Sequence, residues 1–239
     1  MRRIATLLIL LLRAVSLSAA EPDTLASYRN VLMVSIGYQH SPLTEFNDGI
    51  APSGFDAVSA TNLTGGFEWA FINAPKHMQS ISLEFTLAKE LERAEPLQPA
   101  REFQVRSMAG YLNSGLPVYN DGFHRLLFRL DLGVGLTVLS SALKQNFQDV
   151  LDGLPAERNT ISQSSLLLRL GFRHEFRFDS DAESPFPIGI RVGYAFTLTT
   201  NDWTNADAFG ASGMQISGGP KAQYTGFSAA LDLPLAVFR

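Results

Sequence analysis

The chain has 239 residues, with 19 basic and 23 acidic side chains and a formal net charge of −4. That acidic balance, without any basic tract, argues against a nucleic-acid partner. Cysteine is absent, which excludes a disulfide scaffold and any thiolate metal site.

Residues 1–20, MRRIATLLILLLRAVSLSAA, have the form of a cleaved secretory signal. Arg2 and Arg3 precede the apolar run Ile4–Leu12, and Ser18 and Ala20 occupy the small-residue positions before a cut. A bilayer span takes about 20 apolar residues, and this run is shorter. Cleavage near Ala20 would remove Arg2, Arg3 and Arg13 and no acid, leaving residues 21–239 as one exported domain with a net charge of −7.

Beyond the signal, bulky apolar residues recur at every second position, the period of a strand whose two faces meet different surroundings. VLMVSIGY near 31–38 is a weak first example, followed by a segment near 39–60 rich in Pro, Gly, Asp and Asn. In NLTGGFEWAF, Leu63, Phe67, Trp69 and Phe71 oppose Thr64, Gly66, Glu68 and Ala70. After a short NAPKHM turn, SISLEFTL sets Ile81, Leu83, Phe85 and Leu87 against Ser82, Glu84 and Thr86. EFQVRSMAGYL near 102–112 is a weaker fourth, and NSGLPVYNDG reads as the connection after it.

The fifth, HRLLFRLDLGVGLTV, carries Leu126, Phe128, Leu130, Leu132, Val134, Leu136 and Val138 on one face. Its other face holds Arg125, Arg129 and Asp131. A long segment near 141–162 follows. The sixth, SLLLRLGFRHEFRF, alternates Leu166, Leu168, Leu170, Phe172, His174, Phe176 and Phe178 with Arg169, Arg173, Glu175 and Arg177. DSDAESPFP is a shorter turn, whose Asp179, Asp181 and Glu183 read as solvation rather than a calcium site. PIGIRVGYAFTLT, with Arg191 on its polar face, and TGFSAALDLPLAVF, with Asp232, complete eight strands around a long segment near 200–222. FTLAKELERAEPL and ALKQNFQDVLDGL interrupt the pattern with helix formers, the second placing Leu143, Phe147, Val150, Leu151 and Leu154 at helical spacing.

An even strand number, with connections alternating between short and long, is the pattern of an all-β, eight-stranded antiparallel up-and-down transmembrane barrel. A soluble lipocalin-like calyx would also have eight strands, but with its apolar face inward. Volume decides between them. Some forty large side chains cannot fit inside an eight-stranded barrel, whose interior only just admits a filled core. Large apolar patches are also rare on soluble monomers. The greasy face therefore meets lipid. A one-residue slip would turn Arg169 and Arg173 into it, at about 2–4 kcal/mol for each arginine near the midplane.

The inward charges expected on this register are Glu68, Glu84, Arg106, Arg125, Arg129, Asp131, Arg169, Arg173, Glu175, Arg177, Arg191 and Asp232. Arginine–carboxylate pairing would fill and polarise the lumen. The seven arginines exceed the five acids, a positive excess that would suit anions if the lumen conducted.

The plan resembles the small outer-membrane barrels of Gram-negative bacteria, similar to outer membrane proteins A and X. The resemblance spans nearly the whole mature chain and rests on pattern. It implies an outer-membrane location, a polar non-conducting core, no cofactor, and long outer loops that set function. Such chains commonly end on an aromatic residue, whereas here Phe238 precedes a terminal Arg239. Pro234 inside the last strand is a second departure, since it removes a ladder donor.

Function would then be structural or surface-interacting, by a monomer embedded in outer-membrane lipid, with Phe46, Phe55, Trp203 and Phe209 as candidate loop contacts for a surface protein or ligand. The alternatives are a narrow channel and a lipid-modifying enzyme. For the enzyme, His40, Ser41 and Glu45 in YQHSPLTE are the nearest approach to a nucleophile, base and orienting group.

Overall fold

The computed structural model describes residues 28–73, 77–87, 89–91, 101–121, 123–143, 158–176, 188–205, 215–216 and 219–238. The signal-like residues 1–20, the Asp179–Glu183 turn, Arg177 and Phe209 lie outside them, as does the helical stretch after Leu143.

Eight long strands form the wall: β1 (Tyr28–His40), β2 (Thr61–Asn73), β3 (His77–Thr86), β5 (Arg101–Asn120), β6 (His124–Leu143), β7 (Arg158–Phe176), β8 (Ile188–Thr200) and β11 (Gly226–Phe238). Short strands β4 (Lys89–Glu90), β9 (Trp203–Asn205) and β10 (Gln215–Ile216) lie at the long-loop end. Each long strand pairs antiparallel with its neighbours in chain order. β11 closes the sheet by pairing with both β1 and β8, so the barrel has no open seam. Closure satisfies the backbone internally, as a membrane-spanning sheet requires.

The outward face is the apolar one. Ile36, Phe67, Trp69, Ile81, Val134, Val192 and Leu235 are all about half exposed, and they belong to a belt that continues around the barrel. A belt of this extent is unfavourable in water and favourable in lipid. The inward face is buried and mixed: charged and polar side chains share it with apolar ones such as Met33, Met78, Leu127 and Leu167.

Both prolines of the wall sit beside irregularities. The β5–β6 register shifts between Pro117 and Tyr119, skipping Val118. Between β1 and β11, Met33 pairs with Pro234 and Leu32 with Ala236, leaving Leu235 unpaired. The missing proline donor is thus absorbed by a bulge rather than by a broken ladder.

The fourth strand is longer than its pattern suggests. NSGLPVYN continues β5 to Asn120, and β6 already begins at His124. At the long-loop end, β5 runs on through residues 101–107 beyond its last pair with β3, and β7 through 158–164 beyond its last with β8. β4 pairs with the first extension and β9 with the second. The wall is therefore tallest on the β5–β7 side.

Arg106 corrects the expected lumen set. Val105 is the buried residue of that pair, and Arg106 is exposed on the outer face. It stands one outward position beyond Met108, followed by Gln104 and Glu102, so it marks the polar margin above the belt and needs no partner inside.

Candidate functional site: a charge-filled lumen and its outer cap

Ten of the expected inward charges are in the lumen: Glu68, Glu84, Arg125, Arg129, Asp131, Arg169, Arg173, Glu175, Arg191 and Asp232. With Arg106 outside and Arg177 beyond the described residues, five arginines face five carboxylates among the described residues, with no positive excess among them.

Strand alternation delivers these groups from β2, β3, β6, β7, β8 and β11 to one level, where they connect in a closed circuit. Arg173 Nη1 lies 3.4 Å from Glu68 Oε2, and Glu68 Oε1 lies 3.0 Å from Arg129 Nη1. Arg129 Nε reaches Asp131 Oδ1 at 3.2 Å, and Asp131 Oδ2 accepts from Arg169 Nε at 2.8 Å. Arg169 forks onto Glu84 with two bonds of 2.8 and 2.9 Å. Glu84 also accepts from Arg191 at 2.6 Å. Arg191 lies 3.5 Å from Asp232, whose other oxygen is 3.4 Å from Arg173.

Four arginines and four carboxylates therefore alternate around a ring. The Arg125–Glu175 pair (2.6 Å) joins it through a 3.2 Å contact from Glu175 to Arg173. Neutral partners complete the network. Ser80 donates to Glu68. Asn113 sits between the two arms of the ring, its amide oxygen 3.2 Å from Arg129 Nη2 and its nitrogen 3.1 Å from Asp131 Oδ1. Tyr111 lays its ring over the Arg169 guanidinium at 4.4 Å, adding a cation–π contact. Each buried ion is met by opposite charge, as burial demands.

Apolar clusters lie on both sides of the ring. Toward the turns, Val31, Met33, Ala70, Met78 and Leu127 pack together. At the long-loop end, helix α1 (Thr44–Ile50) and the 3₁₀ turn Ala51–Ser53 fold back over the mouth. Asn47 clips this segment by accepting from Val58 N–H (2.8 Å) and donating to the Val58 carbonyl (3.2 Å). Leu43, Phe46, Ile50, Val58, Leu91, Val105, Trp203, Ala222 and Tyr224 form the cap's core. Between cap and ring, Tyr224 accepts from Thr137 at 3.1 Å, and Gln163 accepts from the Ala222 N–H at 2.8 Å. A void of about 20 Å³ against Glu84, Tyr111, Leu167 and Tyr224 has room for a single water molecule.

The cap overturns the expectation for Phe46 and Trp203. Phe46 is 1 % exposed and Trp203 2 %, with their rings 6.2 Å apart. Phe55 packs edge-on against Phe103 at 4.7 Å. Phe46 and Trp203 hold the cap shut from within and offer no contact surface, whereas Phe55 is only partly buried. Sequence reasoning missed α1, because TEFNDGI is too short for a helical period to stand out.

His40, Ser41 and Glu45 each bond a different partner. His40 Nδ1 is 3.2 Å from Thr61 Oγ1, Ser41 is buried and accepts from Gln39 at 3.1 Å, and Glu45 accepts from Gln223 at 2.9 Å. No nucleophile–base bond joins them.

No family model matches the chain, and no curated protein does. Among solved structures it is similar to Ail, the attachment invasion locus protein of Yersinia pestis, in complex with the heparin analogue sucrose octasulfate (8 % identity, 89 % of this chain and 99 % of that one, TM-score 0.46). A major outer membrane protein from Thermus thermophilus aligns at 9 % identity over 85 % of this chain and 98 % of its own, with a TM-score of 0.47. The outer membrane protease OmpT from Escherichia coli aligns at 8 % identity over 90 % and 99 %, with a TM-score of 0.34.

Proposed function

We propose that this chain is an outer-membrane β-barrel of a Gram-negative envelope, with a lumen that does not conduct and a structural or surface-interacting role. One observation supports the reading: a ring of four arginines and four carboxylates fills the lumen between two apolar clusters, inside a wall whose outer face is apolar. Passage of an ion would require breaking buried pairs, each costing several kcal/mol. A closed barrel with this outer belt suits lipid, and an exported chain with such a barrel belongs in the outer membrane.

Among the described residues, the surface available to a partner is the outer side of the cap, where residues 51–54, 56 and 57 are exposed, together with Lys221 and Gln223. The test has two parts. Unboiled and boiled samples of the outer-membrane fraction should run differently on a gel, as a folded membrane barrel does. In a planar bilayer the purified protein should give no unit conductance. A soluble chain with no gel shift sinks the membrane placement, and steady unit conductance sinks the sealed lumen. Binding to cells or surface polymers should be lost on exchanging residues 51–57 while the gel shift is kept.

A further inference from the structure

The ladder between β8 and β11 is the shortest between long strands. β8 and β11 share seven pairs, from Gly226–Ala195 to Asp232–Gly189, and above them the ladder ends. Two side-chain bonds replace it: Tyr224 N–H donates to Thr197 Oγ1 at 2.8 Å, and Thr197 N–H donates to Thr225 Oγ1 at 3.0 Å. From there the chain turns inward, and Ala222 and Tyr224 are buried in the cap. On the outside this leaves a furrow.

Its lower part, about 540 Å³, lies in the lipid-facing wall between Tyr38, Phe172, Tyr194 and Phe227, with Gly193 and Ala229 among the residues lining it. The small outward side chain of Ala229 keeps that part open. Its upper part, about 610 Å³, is lined by Glu45, Asp48, Gln223 and Thr225 beside α1. His40, Tyr194 and Phe227 line both parts, so one groove runs from the belt to the rim. At the junction Gly226 is required by close approach, since a Cβ there would stand 1.9 Å from the His40 carbonyl oxygen.

We propose that this groove holds one phospholipid with a primary-amine headgroup, its acyl chain in the lower part and its ammonium on the Glu45–Asp48 shelf. The lower part is continuous with the lipid-facing belt, and each part has the volume of an ordinary small-molecule site. Among the described residues no lysine or arginine lines either part, and Glu45 and Asp48 give the shelf its negative sign, with His40 below them at the junction. An ammonium is attracted there and a net-anionic headgroup is repelled. Gln223, already donating to Glu45, holds that carboxylate in place. The site rests on the membrane placement proposed above.

The test is native mass spectrometry of the full chain, released from nanodiscs of equimolar phosphatidylethanolamine and phosphatidylglycerol. Each protein is first checked for its heat-dependent gel shift. Wild type should keep one phosphatidylethanolamine, about tenfold over phosphatidylglycerol. Ala229→Trp, which fills the lower part from an exposed position, should lose that lipid. Glu45→Gln with Asp48→Asn should equalise the two lipids. A wild type that shifts on the gel yet retains both lipids equally overturns the site alone, as do variants that retain lipid like wild type. Retention of phosphatidylglycerol in preference once Mg²⁺ is added overturns the ammonium assignment. A wild type with no gel shift overturns the membrane placement and this site with it.

Discussion

Arg173 and Arg191 face each other directly across the β7–β8 ladder, two like charges at opposed positions in a buried lumen. Opposed like charges destabilise a strand pair. Asp232, arriving from β11 and fully buried, resolves the conflict by placing one oxygen 3.4 Å from Arg173 and the other 3.5 Å from Arg191. Asp232→Asn should therefore cost about 3–5 kcal/mol, the usual penalty for stranding a buried ion. Adding Arg191→Gln should restore part of that loss, because the repulsion goes with it. Urea unfolding in micelles, followed by the gel shift, measures both. A double variant no more stable than Asp232→Asn alone would show that the two arginines are not held apart by Asp232.

Gly133 is the second point at which the ring depends on a precise fit. A Cβ there would stand 2.4 Å from Tyr111 Cδ1 and 2.5 Å from the Gly110 carbonyl oxygen. The ring of Tyr111 occupies the space that the missing side chain leaves, and from there it covers Arg169. Gly133→Ala should push Tyr111 off the guanidinium and cost about 1–3 kcal/mol, as overpacking does. The same urea titration reads it. An unchanged midpoint would mean that the wall yields instead, and that Tyr111 is not seated by Gly133.

These two sites show what the sequence could convey. The inward positions of Arg129, Asp131, Arg169, Arg173 and Glu175 were legible, because alternation names the face of every residue in a regular strand. The ring itself was not. Glu84 comes from β3 and Arg169 from β7, 85 residues apart, and alternation says nothing of which inward groups lie at one height. Arg106 was misread because the alternation of EFQVRSMAGYL is weak at its start, where Val105 turns into the cap. Phe46 and Trp203 were misread for a different reason: an aromatic in a polar loop has no period, so burial by another loop leaves no mark in the local pattern.

Burial of the cap aromatics makes a prediction in its own right. Trp203 donates its indole N–H to the Pro220 carbonyl at 2.6 Å and packs near Phe46, whereas Trp69 lies half exposed on the outer belt. In a Trp69→Phe background the remaining emission reports the cap alone. Phe46→Ala should remove about 3–5 kcal/mol of cap packing, red-shift that emission and open Trp203 to iodide. The gel shift should persist, since the closed wall does not rest on Phe46. Loss of the gel shift would show that cap and wall fold as one unit. An unmoved emission would show that Phe46 does not hold Trp203.

At the opposite end, the β5–β6 turn depends on one carboxylate outside the lipid-facing wall. Asp121 Oδ1 accepts from the His124 N–H at 2.7 Å and the Phe123 N–H at 3.1 Å, and Oδ2 accepts from the Tyr119 hydroxyl at 2.9 Å. The His124 amide, and then the Tyr119 hydroxyl, hold the carboxyl below its ordinary value of 3.8. These bonds favour the charged form, so they stabilise the turn fully above that value. The stabilisation fades as pH falls through the lower value of the folded turn. Titrating the Asp121 side-chain carboxyl by carbon-13 NMR in micelles should give a midpoint below 3.8. Asp121→Asn, which keeps an acceptor oxygen, should preserve the turn at low pH, while Asp121→Ala should loosen the Phe123 and His124 amides at every pH. A midpoint at or above 3.8 would mean that the two amides do not bind the carboxylate, and that the turn is set by the strands alone.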